Sequence, residues 1–194
     1  LFLETPKTYS NKSIQQSKKS EQKRPFFKIY QMSRLSIHNL QFNSDGSKLI
    51  CAGQDGIVRA LNWQKGTMSS MKKHKGYIKD IKVSQNNLVL SSGKDGKVIL
   101  WNLKSNRAKK LFQHSLEASV VAISPDGNWV ASAGEDRKVV LINIKTYKVY
   151  LLLRHFDKIT DLAFSPDSQT LAAGGWDNKV RVWSVNNQKM RVMK

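Results

Sequence analysis

Short runs with alternating apolar positions, each closed by turn-forming residues, recur along the chain. Examples are Leu40-Gln41-Phe42 before Asn43-Ser44-Asp45-Gly46, Val121-Ala122-Ile123 before Ser124-Pro125-Asp126-Gly127, and Leu162-Ala163-Phe164 before Ser165-Pro166-Asp167-Ser168. Alternation marks a strand with one face toward a core, and Pro and Asp-Gly set turns through fixed or permissive φ. Each run is followed by a strand ending in small residues: Leu49–Gly53, Leu88–Ser92, Val130–Gly134 and Leu171–Gly175. Small side chains suit strands packed face to face on neighbouring sheets. A third strand then opens on an aspartate turn, at Asp55-Gly56, Asp95-Gly96, Asp136-Arg137 and Asp177-Asn178. More polar fourth strands follow, as in Lys109–Phe112 and Val149–Leu153. The turn aspartates step by 40, 41 and 41 residues. A near-constant period with four strands per unit predicts an all-β fold of four antiparallel four-stranded sheets, over residues 33–73, 74–113, 114–154 and 155–194.

Composition bounds this picture without changing it. A chain of 194 residues with 40% hydrophobic positions is long enough for a sizeable core, which excludes wholesale disorder and small disulfide scaffolds. No apolar run approaches the length of a membrane span, the first residues lack the pattern of a secretory signal, and Cys51 has no internal disulfide partner. An intracellular protein is expected, cytoplasmic first and nuclear second. Residues 1–25, rich in Ser, Gln, Asn and Lys, read as a flexible basic arm or linker, and Phe26–Gln31 as a surplus outer strand at the start of a folded region spanning 26–194.

The repeat resembles the WD-repeat β-propeller family. That family's pattern is a His, a Ser, an Asp in the tight turn and a Trp further on, and the second unit looks complete with His74, Ser92, Asp95 and Trp101. The third and fourth keep His114 with Asp136 and His155 with Asp177. Ala133 and Gly174 stand at the Ser position there, Ile142 replaces one Trp, and Trp183 keeps the other. The first unit retains only Asp55, with Ser33, Ala52 and Leu61 at the other positions. The resemblance implies propeller blades of four antiparallel strands, and a hydrogen-bonded network joining His, Ser, Asp and Trp within a blade. Four blades fall short of the usual ring, which implies completion by further sequence, a second copy or a partner.

Ser92, His74 and Asp95 are also the residue types of a hydrolytic triad. The architectural reading wins, because no G-x-S-x-G elbow is present and His and Asp return in units without the Ser. Cys51 reads as a packed thiol and His38 as an ordinary, partly buried histidine. No phosphate-cradling loop or metal-ligand spacing is found, so neither a catalytic residue, a cofactor nor a metal is expected.

Propellers of this family act mostly as rigid platforms, with partners on the face built from the loops before each inner strand and the aspartate turns. Carried onto this chain, the resemblance marks Ser36, Tyr77, Glu117 and Lys158 on those loops and Gln54, Lys94, Glu135 and Trp176 before the turn aspartates. The function expected is a protein-interaction scaffold or sensor module within a multi-subunit or multidomain assembly. The net charge of +19 supports an alternative, a nucleic-acid-associated scaffold using a basic rim of Arg107, Lys109, Lys110, Lys148, Lys189, Arg191 and Lys194.

Overall fold

The computed structural model describes residues 29–152, 155–187 and 190–193, the last of these in backbone only. The arm expected over 1–25 lies outside the described residues. The chain divides into Leu1–Gln31 and Met32–Lys194. Of the strand expected over Phe26–Gln31, only Ile29, Tyr30 and Gln31 are described, and none of them is in a strand.

The unit Met32–Lys194 holds sixteen strands among the described residues. The first sheet comprises β1 (Ile37–Phe42), β2 (Leu49–Gly53), β3 (Ile57–Asn62) and β4 (Thr67–Lys72). The second comprises β5 (Ile78–Val83), β6 (Leu88–Gly93), β7 (Lys97–Asn102) and β8 (Arg107–Gln113). The third comprises β9 (Ala118–Ile123), β10 (Trp129–Gly134), β11 (Val139–Asn143) and β12 (Val149–Leu152), and the fourth β13 (Ile159–Phe164), β14 (Thr170–Gly175), β15 (Val180–Ser184) and β16 (Met190–Met193). Every sheet is an antiparallel meander in chain order, as two-residue alternation joined by tight turns requires.

Neighbouring sheets pack face to face over three apolar layers. Ile50, Ala52, Val58, Ile78, Val89 and Trp101 fill the space between the first two sheets. Leu90, Val98, Val121, Val130 and Val140 fill the next, and Ala131, Leu141, Ile159, Leu171 and Trp183 the last. Inner strands are also stitched side by side. Gln41 Oε1 accepts from the Val83 amide at 2.9 Å, and Asp80 Oδ2 from the Val121 amide at 3.1 Å. The first and fourth sheets share no substantial packing, so the ring is not closed. Accordingly Leu40 and Phe42 on β1 stay 61% and 55% exposed, whereas Ile81, at the position of Leu40 in the second sheet, is buried.

Turns are specified by left-handed backbone at matching places in each sheet. Gly46, Asn87, Gly127 and Ser168 take φ of 67°, 60°, 69° and 62° between the first two strands, and Gly56, Gly96, Arg137 and Asn178 take 72°, 72°, 62° and 58° after the turn aspartate. Glycine two residues before that aspartate serves another purpose. At Gly53, Gly134 and Gly175 a Cβ would run into the carbonyl of Ser36, Glu117 or Lys158 on the loop before the inner strand. Adjacent Gly174 meets nothing within 4 Å. Gly175→Ala is therefore expected to destabilise by about 2 kcal/mol through overpacking, while Gly174→Ala stabilises by roughly 0.5 kcal/mol through lower chain entropy. Urea unfolding of the two variants checks the contrast.

Candidate functional site

The tight turns carry the polar architecture. In the second sheet Asp95 accepts from the Lys97 amide at 3.2 Å and the Lys75 amide at 2.8 Å, and its Oδ1 lies 2.8 Å from His74 Nδ1. Burial pushes the His74 imidazole below its ordinary 6.5. Burial resists ionisation of Asp95, yet the Lys75 amide and the His74 ring hold its carboxyl below 3.8. A neutral imidazole beside a carboxylate must carry its proton on Nδ1 and accept through Nε2. That acceptor faces Ser91 Oγ at 2.7 Å, and the same oxygen accepts Trp101 Nε1–H at 2.7 Å. Every member is satisfied: indole to hydroxyl, hydroxyl to imidazole, imidazole to carboxylate.

The serine in this network is Ser91, not Ser92. Successive strand residues face opposite sides, so a one-residue slip moves a side chain to the other face. Ser92 is fully buried, and its Oγ has no hydrogen-bond partner among the described residues. Counted from the aspartate, the position four residues back holds Cys51, Ser91, Ser132 and Ala173. The third sheet thus also has its serine: His114 bonds Asp136 and Ser132 at 2.9 Å each, and Ala133 is not the relevant position. Two serines at one repeat position, against one at the next, was the signal that sequence comparison of the units contained.

Where the serine is missing, an arginine enters. Arg181, buried on β15, donates from Nη1 to Asp177 Oδ2 and to His155 Nδ1, both at 2.7 Å. Guanidinium has no acceptor, so His155 Nδ1 is unprotonated here, and its 3.4 Å separation from Asp177 is not a hydrogen bond. Burial and the Arg181 charge both push His155 below 6.5. Although burial works against its charge, the Phe156 amide and Arg181 hold Asp177 at about 2. With Ala173 at the serine position, the buried His155 Nε2 and Trp183 Nε1 find no acceptor among the described residues. The first sheet uses the same device, with Arg59 2.6 Å and Ser33 Oγ 2.9 Å from Asp55 Oδ2.

The eight positions marked for the loop-tip face form four couplets, each joined by one backbone bond. Gln54 donates to the Ser36 carbonyl, Lys94 to Tyr77, Glu135 to Glu117 and Trp176 to Lys158, at 2.8–3.0 Å. Ion pairs knit the couplets together: Glu117 lies 2.8 Å from Lys79 and 3.9 Å from Lys94, and Lys158 lies 2.8 Å from Glu135. Tyr77 is half-buried against His38, their ring centroids 4.8 Å apart, and His38 itself is exposed rather than partly buried. Trp176 projects with 66% of its surface free, Lys158 lying 5.7 Å from its ring centroid. Beside the fourth turn stands a residue the sequence reading missed: Phe156, 74% exposed, with Lys179 5.1 Å and Arg181 5.7 Å from its ring centroid. Its signal was an aromatic directly after the network histidine.

The repeat family described as WD domain, G-beta repeat matches residues 66–102, 106–143 and 146–184. The chain belongs to the WD-repeat family. Each match begins at or just before the outer strand of one blade and ends with the third strand of the next, so every WD repeat bridges two blades. Similar proteins include apoptotic protease-activating factor 1 of Mus musculus, 32% identical over 92 residues, which are 47% of this chain and 7% of that protein. Eukaryotic translation initiation factor 3 subunit I of Aspergillus fumigatus is 33% identical over 95 residues, 48% of this chain and 28% of that protein. The chain thus aligns with under a third of the length of either relative.

Of the residues expected to form a basic rim, Arg107, Lys109 and Lys110 lie on the outer strand β8 and Lys148 in the turn before β12. Arg107, Lys109, Lys110 and Lys148 are exposed; Lys189 and Lys194 lie outside the described residues, and Arg191 is described only as backbone of β16. Among the described residues no cluster of three or more His, Cys, Asp or Glu could hold a metal. Cys51 is buried, and burial raises its thiol to about 11, which leaves it a poor nucleophile.

Ser91→Ala should cost about 1–3 kcal/mol by stranding His74 and Trp101, Ser92→Ala should be neutral or stabilising, and Ala173→Ser should stabilise by about 1 kcal/mol by offering both donors an oxygen. Chemical denaturation ranks the three. The pH dependence has a definite sign. His74 and His155, lowered in the fold, favour the native state only above 6.5 and oppose it as pH falls toward their folded values. Asp95, Asp136 and Asp177, lowered below 3.8, withdraw their stabilisation as pH falls through their folded values. Asp80, raised by burial, acts in the opposite sense. Thermal unfolding should show a melting temperature that falls as pH drops below 6.5, where the two lowered histidines outweigh the one raised carboxyl of Asp80, and that falls further below pH 3.8 as the three turn aspartates protonate.

Proposed function

We propose that this chain is a non-catalytic protein-interaction scaffold, one module of a multi-subunit or multidomain assembly, whose partners dock on the loop-tip face. WD-repeat proteins in general serve as interaction scaffolds. The observation that carries the docking reading is the pair of exposed aromatics, Trp176 and Phe156, on turns fixed by Asp177, Arg181 and the Lys158–Trp176 backbone bond. Aromatic side chains with few rotamers on a rigid base dominate interface energetics. A relative named as a subunit of a translation initiation factor supports assembly membership and a cytoplasmic setting. Among the described residues no helix is long and apolar enough to cross a membrane.

The network of the second blade supports the non-catalytic reading. Ser91 is fully buried and its oxygen already engages both Trp101 and His74, so no substrate carbonyl has a route to it. The nucleic-acid alternative draws on one observation: the outer hairpins, residues 62–73, 102–113, 143–154 and 184–194, contain no acidic residue. That reading requires affinity for generic RNA to fall steeply with salt.

Trp176→Ala and Phe156→Ala should each weaken capture of partners from native extract by about 2 kcal/mol or more, with unchanged melting temperature. Quantitative pull-down beside thermal unfolding decides. A variant that loses stability yet keeps every partner would make these aromatics packing elements and move the binding site to the basic rim.

A further inference from the structure

At the end of the blades away from the tight turns, the second and third blades enclose a groove of about 370 Å³. Leu88, Leu100 and Ile144 supply its apolar lining, and Arg107, Lys109 and Tyr147 its polar and aromatic wall. The volume is that of a side-chain or small-ligand site rather than of a crevice between loops.

Tyr147 is an unexpected residue for its turn. It takes φ of 58° where the first two blades place Gly66 at 69° and Asn106 at 53°. Left-handed backbone disfavours a bulky side chain, so an aromatic kept there points to a use for the ring. That ring is engaged: Lys109 Nζ sits 3.2 Å from its centroid. Lys109 is thus positioned by an aromatic face and not by an acid. Among the described residues no carboxylate pairs with Lys109 or Arg107, whereas Lys79, Lys94 and Lys158 on the loop-tip face all have glutamate partners. No acid lies on any outer hairpin, and Asp126, the carboxylate of the adjoining β9–β10 turn, is already held by Ser124 and Asn128, so Arg107 and Lys109 keep the field at the groove positive.

We propose that this groove docks a short acidic segment of a partner protein, which inserts an aliphatic side chain against Leu88, Leu100 and Ile144 while its carboxylates meet Arg107 and Lys109. Charge complementarity selects the acidic flanks, and the aliphatic lining selects the anchor. RNA fits less well: one face of Tyr147 is already covered by Lys109, and the floor offers no aromatic platform for a base. The site is independent of the loop-tip aromatics.

The probe is a fluorescein-labelled peptide with glutamates on both sides of a Leu-Leu pair, titrated with the 194-residue chain and followed by anisotropy. Arg107→Glu and Lys109→Glu should each weaken binding by about tenfold or more. Lys65→Glu, the same charge change on the first blade's hairpin where the turn carries Gly66, should change it by less than about twofold. Tyr147→Asn, which suits the left-handed turn, should also weaken it, and Trp176→Ala should leave it unchanged. Melting curves of all variants should coincide, since the substituted side chains are exposed. The proposal is overturned if the peptide fails to bind at low salt, if Lys65→Glu weakens binding as much as Lys109→Glu, or if a peptide with glutamine for glutamate binds equally. It is likewise overturned if an oligouridylate binds more tightly through the same residues, which would make the groove part of a nucleic-acid surface.

Discussion

One carboxylate per blade holds the architecture together. In all four blades the turn aspartate accepts from the amide two residues on, at Ile57, Lys97, Lys138 and Lys179, and closes the turn on itself. It also reaches across to the segment before the inner strand, to Ser33, the Lys75 amide, the Ser115 amide and the Phe156 amide. Hydrogen bonds to an ionised acceptor are worth about 1.5–3 kcal/mol each, so two per turn exceed the typical effect of a single substitution. The consequence is positional. With loop and turn tied at that point, only glycine fits two residues before the aspartate: a Cβ would meet the loop carbonyl at Gly53, Gly134 and Gly175, and the His74 ring at Gly93. The next blade then hangs from the turn, with the His114 amide bonded to Gly96 and the His155 amide to Arg137.

Given that fixed carboxylate, the rest of the network has two solutions. The second and third blades bind it with a histidine whose far nitrogen meets a serine hydroxyl. The first and fourth lack the serine and carry an arginine four residues after the aspartate, opposite the vacated position in the strand ladder: Arg59 faces Cys51 and Arg181 faces Ala173. A guanidinium supplies several donors from one side chain, which compensates a carboxylate more fully than a lone imidazole. It also reverses the polarity of the histidine, leaving His155 Nε2 and Trp183 Nε1 as buried donors without acceptors among the described residues. The fourth blade therefore exchanges a completed chain of hydrogen bonds from indole to carboxylate for one strong ionic link, and the cost falls on the indole end of the network.

How much was legible in the sequence follows from these constraints. The period, the strands and the aspartate turns were readable, because turn chemistry and alternation leave marks on residue type at each step. The partner of the histidine was misplaced by one residue, since Ser91 and Ser92 are chemically identical and only strand facing separates them. Ser132 next to Ala133 would have resolved it, as would the recurrence of serine four residues before the aspartate. Arg59 and Arg181 escaped notice because a charged residue in a strand reads as a solvent-facing position, and nothing local reveals that Arg181 is buried between His155 and Asp177. Phe156 escaped for the converse reason: its exposure depends on the loop geometry that Asp177 imposes.

The same constraints divide the charge of the molecule. Because the carboxylates are required at the tight turns, and Glu117 and Glu135 pair with the lysines of the same face, the loop-tip end is locally compensated despite the +19 of the chain. The outer hairpins carry no acid, so the surplus accumulates on them. A face with balanced charge and exposed aromatics suits binding governed by shape and dissociation rate, whereas an uncompensated basic edge attracts anionic partners over a distance set by salt. The blades thus place paired charge and exposed aromatics on the loop-tip face and leave the basic surplus on the outer hairpins, and the difference originates in the aspartate that each tight turn cannot do without.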